Sequence, residues 1–381
     1  MNKIKIALIG CGGIANAHVQ GYCELSLNGL NVFDIVATVD VNENNAIEKS
    51  RKIGSFQVKK PKIYTSIDSF LSNEEVDSVD ICLPHNLHHI IATRFLNEGI
   101  DVIIEKPLGI TMRAARMIIE AANKNNRILS VAENYRRSID NRAIWWTINK
   151  GLIGKPRIVL WYEAGWNPIP WGWREDKFIA GGSWVFDGGV HLADLDRFQL
   201  GKEAMEVYAV AKLYEPLKKG VKITVDDMTM AIIKYEDNIV AQWLWTRVAP
   251  AKHISNRIIY GSKGAISREG VRIIDENDEV KEIGMHLLRT RMLNDLDKGI
   301  KNRWFPANIY ANTFATELYD FYRAVIERQK PEVDGLEAYK DMAIPLAFYE
   351  SSLLDKPVYV KDIENLTIEN YQKEINEKLG I

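Results

Sequence analysis

The chain opens with a short apolar run, Ile-Lys-Ile-Ala-Leu-Ile at 4–9, broken only by Lys5, which predicts a buried strand. Runs of the same kind recur at 33–40, 79–84, 101–107 and 127–132. Between them the apolar positions take a helical period, at 14–26, 42–54, 85–99 and 111–126, with a short capped helix at 66–71. Strands alternating with helices in this way predict an α/β fold with a parallel, doubly wound sheet over 1–134. After a helix at 141–150 the pattern changes. Strand-like segments at 156–163, 205–212, 229–235, 240–246 and 257–260 are separated by turn signals such as Glu236-Asp237-Asn238, which predicts an antiparallel sheet in a second domain, 135–381. Amphipathic helices are expected at 316–328 and 335–352. The basic, poorly patterned stretch 285–304 is expected to be a helical excursion that caps a pocket or meets a neighbour.

Composition narrows the class. The 381 residues carry 49 Lys and Arg against 51 Asp and Glu, a net charge of −2, which gives no electrostatic case for nucleic acid or an anionic membrane. No apolar run reaches the roughly 18 residues of a membrane span. The first strand begins at Ile4, so no signal peptide is expected. Cys11, Cys23 and Cys82 are few and scattered, which suggests a reducing compartment and no structural metal site. The expectation is a cytoplasmic enzyme large enough for two domains.

The first candidate site follows the first strand. Gly10, Gly12 and Ala15 stand at G-x-G-x-x-A spacing, with Gly13 and Ile14 completing the turn. Gly10 permits a tight turn, Gly12 lets a pyrophosphate approach the backbone, and Ala15 lets the next helix pack against the sheet. The helix N-terminus offers N–H groups to the phosphates. Asp40 closes the second strand, 25 residues past Ala15, where an acid accepts hydrogen bonds from the adenosine ribose and repels a 2′-phosphate. No Arg or Lys occupies 41–43, so NAD is favoured over NADP. The alternatives are a glycine turn without ligand and an Asp that merely starts the next turn.

Ligands of such sheets sit at the carboxyl ends of the strands, where Pro84, Lys106 and Tyr135 all fall. A partly desolvated lysine there can pass protons or hydrogen-bond an alkoxide; a solvated surface lysine is the plainer alternative. Glu105-Lys106-Pro107 together with the glycine turn resembles the glucose–fructose oxidoreductase/inositol dehydrogenase (Gfo/Idh/MocA) family, across nearly the whole chain. The resemblance implies an N-terminal Rossmann domain and a C-terminal α/β domain with a large, mostly antiparallel sheet. Pro84 to His88 looks like the family's P-N-x-x-H, with His85 where Asn is common. It implies that Pro84, His85, His88, Glu105 and Lys106 lie toward the nicotinamide.

In the second half, Trp161, Trp166, Trp171, Trp173 and Trp184 fall within 24 residues, half of the ten tryptophans. Their faces suit the C–H faces of a sugar, so Trp166 and Trp173 are candidate pocket residues; filling an interdomain core or an oligomer interface is the alternative. Gly181 to Asp194 looks like the family's glycine-rich lead into a D-x-x-x-H helix. Asp187 and His191 stand four apart, on one face of a helix, where an imidazole held by a carboxylate is a credible general base. The lack of a second His or a Cys pair at ligand spacing argues against a metal. By resemblance, Asp187 and His191 match catalytic positions of inositol dehydrogenases.

The expectation is an NAD-dependent oxidoreductase that moves hydride between a sugar, polyol or glycoside carbon and nicotinamide, with Lys106, Asp187 and His191 catalytic. Two other classes are weighed beside it. One is a glycosidase or epimerase-like lyase with tightly bound, redox-cycling NAD, and the other is a non-catalytic dinucleotide sensor. A homodimer or homotetramer is expected, because the second sheet is too large for its own helices to cover.

Overall fold

The apolar run at 4–9 forms strand β1 (Ile4–Ile9) at the centre of a six-stranded sheet, in a computed structural model that describes residues 3–381. The other strands are β2 (Phe33–Val39), β3 (Lys62–Tyr64), β4 (Ser78–Ile81), β5 (Asp101–Glu105) and β6 (Leu129–Ala132). They run parallel in the order β3-β2-β1-β4-β5-β6. Strands β4, β5 and β6 are buried at every position, as a parallel sheet covered on both faces requires. Helices α1 (Ala15–Leu27), α2 (Glu43–Ile53), α3 (Ile67–Asn73), α4 (His85–Asn97) and α5 (Met112–Lys124) make the connections. Strand order reverses between β1 and its neighbours β2 and β4. Register aligns Ile9 with both Val39 and Ile81, so Gly10, Asp40 and Cys82 emerge together at the switch point. Strand β3, of three residues, lies outside the pattern read from the sequence.

The chain divides into two units. The first takes the chain up to Ile110, Ala114–Ser138 and Asp297–Ala338; the second takes Thr111–Arg113, Ile139–Leu296 and Tyr339–Ile381. The reading from sequence gave everything from 135 onward to one domain, whereas the structure returns 297–338 to the first unit. The reason is the helix Thr313–Glu327. Its Ala315, Leu318, Phe321 and Tyr322 share one buried cluster with Ala15, Val19, Tyr22 and Leu25 of α1. The helices meet closely at Gly21, where an added Cβ would lie 2.9 Å from Leu318 Cδ1 and 3.0 Å from the Ala315 nitrogen. The stretch 285–304 is helical as expected, in two pieces, Met285–Asp295 in the second unit and Lys298–Trp304 in the first.

The second unit carries a nine-stranded sheet. Its strands are β7 (Pro156–Ala164), β8 (Ala204–Lys212), β11 (Met228–Tyr235), β12 (Val240–Thr246), β13 (Ile254–Gly261), β14 (Gly264–Ser267), β15 (Gly270–Ile274), β16 (Val280–Gly284) and β17 (Val358–Tyr359). A separate two-residue pair, β9 (Leu217–Lys218) and β10 (Val221–Lys222), stands apart. The order is β16-β15-β14-β13-β7-β12-β11-β8-β17, antiparallel except for β7 with β12. Strict alternation sorts β11 into two faces, with Ala231, Ile233 and Tyr235 buried and Met230, Ile232 and Lys234 exposed. On the covered face Trp243 meets Phe348, from the helix Gly335–Leu354, edge to face at 5.2 Å. On the other face Ile232 stands opposite Tyr208, and Val240 opposite Ile158, all exposed. Among the described residues no helix is long and apolar enough to cross a membrane.

Candidate active site

In the first unit, the glycine turn is built by one forced position and two open ones. Gly10 has φ +88°, and a Cβ there would sit 2.3 Å from the Cys82 carbonyl oxygen. At Gly12 and Gly13 an added Cβ would meet nothing within 4 Å. Ala15, fully buried, begins α1, whose first turn has no side-chain cap. Ile14 is partly exposed at the helix start. Asp40 braces the turn. Its Oδ2 accepts from the Cys11 N–H at 2.7 Å, and its Oδ1 accepts from the Asn42 N–H at 2.8 Å. The Cys11 thiol is buried in the same turn, and burial together with the Asp40 charge pushes it up to about 12, which makes it a poor nucleophile. Open space over Gly12 and Gly13, uncapped helix N–H groups and an acid at the end of β2 fit a dinucleotide.

Pro84 caps α4 after β4, and His85 and His88 are both buried in its first turn, with ring centroids 5.8 Å apart. His88 Nδ1 lies 2.9 Å from the Pro107 carbonyl oxygen, and Nε2 lies 2.9 Å from that of Leu83. Burial, helped by the charge of His85, pushes this imidazole down to about 4. A neutral ring has one N–H, so one of these two contacts is a hydrogen bond and the other a close approach. His88 thus lies between the loops after β4 and β5 and bonds one of their carbonyls. Lys106 directly follows β5, joined to Pro107 by a cis bond. The buried Glu105 side chain instead faces His18 on α1, at 2.9 Å. Tyr135 is exposed, and its N–H donates to Glu133 Oε1 at 2.8 Å.

In the second unit, Asp187 and His191 are buried on two successive helices, Trp184–Asp187 and Gly189–Leu200. The sequence reading placed both on one helix; the structure breaks it at Gly188, where a Cβ would lie 2.3 Å from the Trp184 ring. Ser183 caps the first helix, its Oγ accepting from the Val185 N–H. Asp187 Oδ2 accepts from Arg174 Nε at 2.7 Å, and the Arg174 guanidinium lies 4.4 Å from the centre of the Trp173 ring. Arg174 belongs to the 3-10 turn Gly172–Glu175. Glu175 pins that turn by pairing with Arg247 through two bonds of 2.8 and 2.5 Å, and by accepting from the Trp171 N–H.

Three of these tryptophans pack against other rings, Trp161 buried and Trp171 and Trp184 partly so. Trp161 stacks on Trp184 at 5.4 Å and meets Trp243 edge to face, and Trp184 stacks in turn on Trp245. Trp171 tilts against Trp245 at 6.4 Å. Trp166, 58% exposed, and Trp173, under Arg174, remain as the candidates with a free-facing or polar setting. Arg174 and His18 contact the candidate residues Asp187 and Glu105, and reasoning from sequence missed both. Arg174 had a signal, a cation beside a tryptophan ahead of a glycine-rich lead. His18 had another, a histidine inside the apolar stripe of α1.

A parallel sheet that opens on a glycine turn, with an acid at the end of its second strand, defines the first unit as a dinucleotide-binding domain. Residues 4–133 match the oxidoreductase family with an NAD-binding Rossmann fold, and residues 142–267 match the GFO/IDH/MocA C-terminal domain. The chain belongs to this Gfo/Idh/MocA oxidoreductase family, and its cofactor is NAD. Levoglucosan dehydrogenase of Pseudarthrobacter phenanthrenivorans is 27% identical over 403 residues, covering 95% of this chain and 100% of that one. Myo-inositol 2-dehydrogenase of Thermotoga maritima is 23% identical, covering 94% and 98%. Among solved structures, levoglucosan dehydrogenase with NADH and levoglucosan matches with a TM-score of 0.78 at 23% identity, over 94% of this chain and 100% of that one.

Proposed function

We propose that this protein is an NAD-dependent dehydrogenase that oxidises a secondary hydroxyl of a cyclic sugar, anhydrosugar or inositol. The observation that carries the reading is the buried Asp187 and His191 at the Gly188 break, braced by Arg174 over Trp173, in a chain whose other unit binds NAD. The relatives named for levoglucosan and myo-inositol support this substrate class.

NAD supplies the hydride acceptor, C4 of the nicotinamide. His191 takes the proton of the reacting hydroxyl, and Lys106 hydrogen-bonds the same oxygen and favours its alkoxide character. Asp187, with Arg174, orients the sugar and the imidazole. Tyr135, Trp166 and Trp173 contribute to sugar binding. Asp40 meets the ribose hydroxyls and selects against NADP. The exposed apolar face of the large sheet, with Tyr208, Met230, Ile232 and Ile158, is assigned to a homodimer or homotetramer. A cytoplasmic enzyme with a reduced cysteine complement is the setting this implies. The test is a screen of sugars, anhydrosugars, inositols and glycosides with NAD. Net NADH formed with one of them supports the reading, and glycoside cleavage or epimerisation without net NADH overturns it.

A further inference from the structure

Beneath the glycine turn, within the first unit, lies a closed cluster of titratable groups. His18, one turn into α1, is fully buried. Its Nδ1 is 2.9 Å from Asp80 Oδ2 on β4, and its Nε2 is 2.9 Å from Glu105 Oε1, the last residue of β5. A neutral imidazole has one N–H and one lone pair, and a carboxylate has no proton to give. Two carboxylates on the two nitrogens are satisfied together by an imidazolium, donating from both. Asp80 is already an acceptor on other sides: the Tyr22 hydroxyl donates to Oδ2 at 2.9 Å, and Cys82 Sγ lies 3.7 Å from Oδ1.

Other titratable groups stand near the cluster, among them the buried Glu133, which acts on Glu317 together with Glu105. From the helix Thr313–Glu327 come the Phe314 ring, 5.3 Å from the imidazole, and the buried Glu317. Burial drives the Glu317 carboxyl well above the usual carboxylate range, against the pull of His18 and Arg137. Burial opposes the charge on His18, and Asp80 outweighs it, holding the imidazole well above its usual value. His18, Asp80 and Cys82 are close enough to suggest a metal cage, but both ring nitrogens already face carboxylate oxygens at hydrogen-bond distance.

The cluster touches two functional segments at once. α1 begins at the glycine turn, and β5 runs from Glu105 straight into Lys106 and Pro107. The Pro107 carbonyl in turn lies 2.9 Å from His88 Nδ1. The backbone of Lys106 therefore runs between Glu105, which faces His18, and Pro107, which lies beside His88.

We propose that His18 is a positioning residue, kept as an imidazolium, that ties the phosphate-binding helix to the strand end carrying Lys106 and so sets where Lys106 stands during turnover. The kinetic part rests on the reading above that Lys106 acts on the sugar oxygen; the charge state of His18 does not. The tests use the intact protein saturated with NADH for the spectra, and with NAD for turnover. In histidine-labelled protein the His18 ring should show protons on both nitrogens from about pH 5 to about pH 8, the range in which an ordinary histidine titrates. In Glu105→Gln, which keeps the shape and removes one anion, the same ring should titrate inside that range. A neutral His18 ring in the unaltered protein overturns the proposal.

On the sugar that the screen identifies, Glu105→Gln and His18→Gln should lower kcat by at least about tenfold while KM and NAD affinity stay within about threefold. Unchanged kcat in a Glu105→Gln protein with an unaltered circular dichroism spectrum overturns the positioning role, and this variant decides alone if His18→Gln does not fold. If the unaltered enzyme oxidises no sugar, the catalytic reading has failed separately. The rate at which acetic anhydride labels Lys106 then decides: a shift of about threefold or more in Glu105→Gln supports the strut, and an unchanged rate overturns it.

Discussion

Gly10 and Gly12 stand two residues apart in one turn, and alanine at each should break a different property. Gly10→Ala places an L-residue at φ +88°, which costs about 1–2 kcal/mol, the usual penalty of the left-handed region. Its Cβ would also lie 2.3 Å from the Cys82 carbonyl oxygen, a backbone atom just past β4 with no rotamer to escape into. Relieving that overlap adds about 1–3 kcal/mol, the range for overpacking a filled core. The total of about 2–5 kcal/mol should lower the melting temperature of the NAD-free protein by on the order of 10 °C, at about 2–4 °C per kcal/mol for a unit of this size. Gly12→Ala meets nothing within 4 Å. Its stability should be unchanged or raised by up to about 1 kcal/mol, through the stiffer unfolded chain. The added methyl, however, fills the space through which a pyrophosphate reaches the backbone. NADH affinity should fall at least about tenfold, or about 1.4 kcal/mol. Thermal melts of both NAD-free variants and NADH titrations by fluorescence read the two effects. A Gly12→Ala protein that binds NADH as well as the unaltered one, or a Gly10→Ala protein that melts with it, would refute the reasoning.

Asp40→Ser combined with Val41→Arg should narrow or reverse a preference for NAD over NADP of at least about tenfold, measured as the ratio of kcat/KM values; equal use of both cofactors by the unaltered enzyme would remove Asp40 from its role. His191→Ala should lower kcat by roughly 10²–10⁴ with little change in NAD affinity, and raising the pH should restore part of it, since hydroxide can replace the base; a surviving, unshifted acidic limb in the rate profile would point to Lys106 as the base instead. The oligomer proposed above should become monomer by light scattering in Ile232→Lys, at the centre of the exposed apolar face, and a monomeric unaltered protein at micromolar concentration would overturn that proposal. Burial raises the Glu203 carboxyl, but Arg197 and Lys340 outweigh it and hold it at about 2. A depressed carboxyl stabilises the fold above its unfolded value near 4.5 and loses that contribution as pH falls toward 2, so Glu203→Gln should flatten this part of the acid melting curve.

What could be read in advance follows from how far apart the interacting residues are in the chain. The strand 4–9, its glycine turn and Asp40 depend on local pattern and on a spacing set by one strand–helix–strand unit, and all stood out. His18 did not, because its acceptors are 62 and 87 residues away and periodicity reports only that one face of α1 is buried. The same limit hid the partner of the helix Thr313–Glu327: its apolar face was plain, and α1 as the surface that receives it was not. The tryptophans at 161–184 were visible as a cluster, but Trp161, Trp171 and Trp184 pack on Trp243 or Trp245, from a strand further along the chain that spacing does not reveal. The Asp187–His191 spacing was read as one helix, and the glycine that breaks it had been counted only as part of a glycine-rich lead. Strands β14 to β16, of four or five residues each, were not among the segments read as strands.

The helix Thr313–Glu327 has a bearing on how this protein is made. Sheet order places all six strands of the nucleotide-binding unit within the first 132 residues, yet the layer that seals α1 is encoded after residue 312. A nascent chain released at Ser138 would carry every strand and the whole glycine turn, with the apolar stripe of α1 around Gly21 uncovered. During synthesis that apolar stripe must wait, at about 5–20 residues per second, for well over a hundred further residues before its cover leaves the ribosome. The usual advantage of an N-terminal domain, folding early and alone, is withheld from this one, and chaperone dependence should concentrate on that interval.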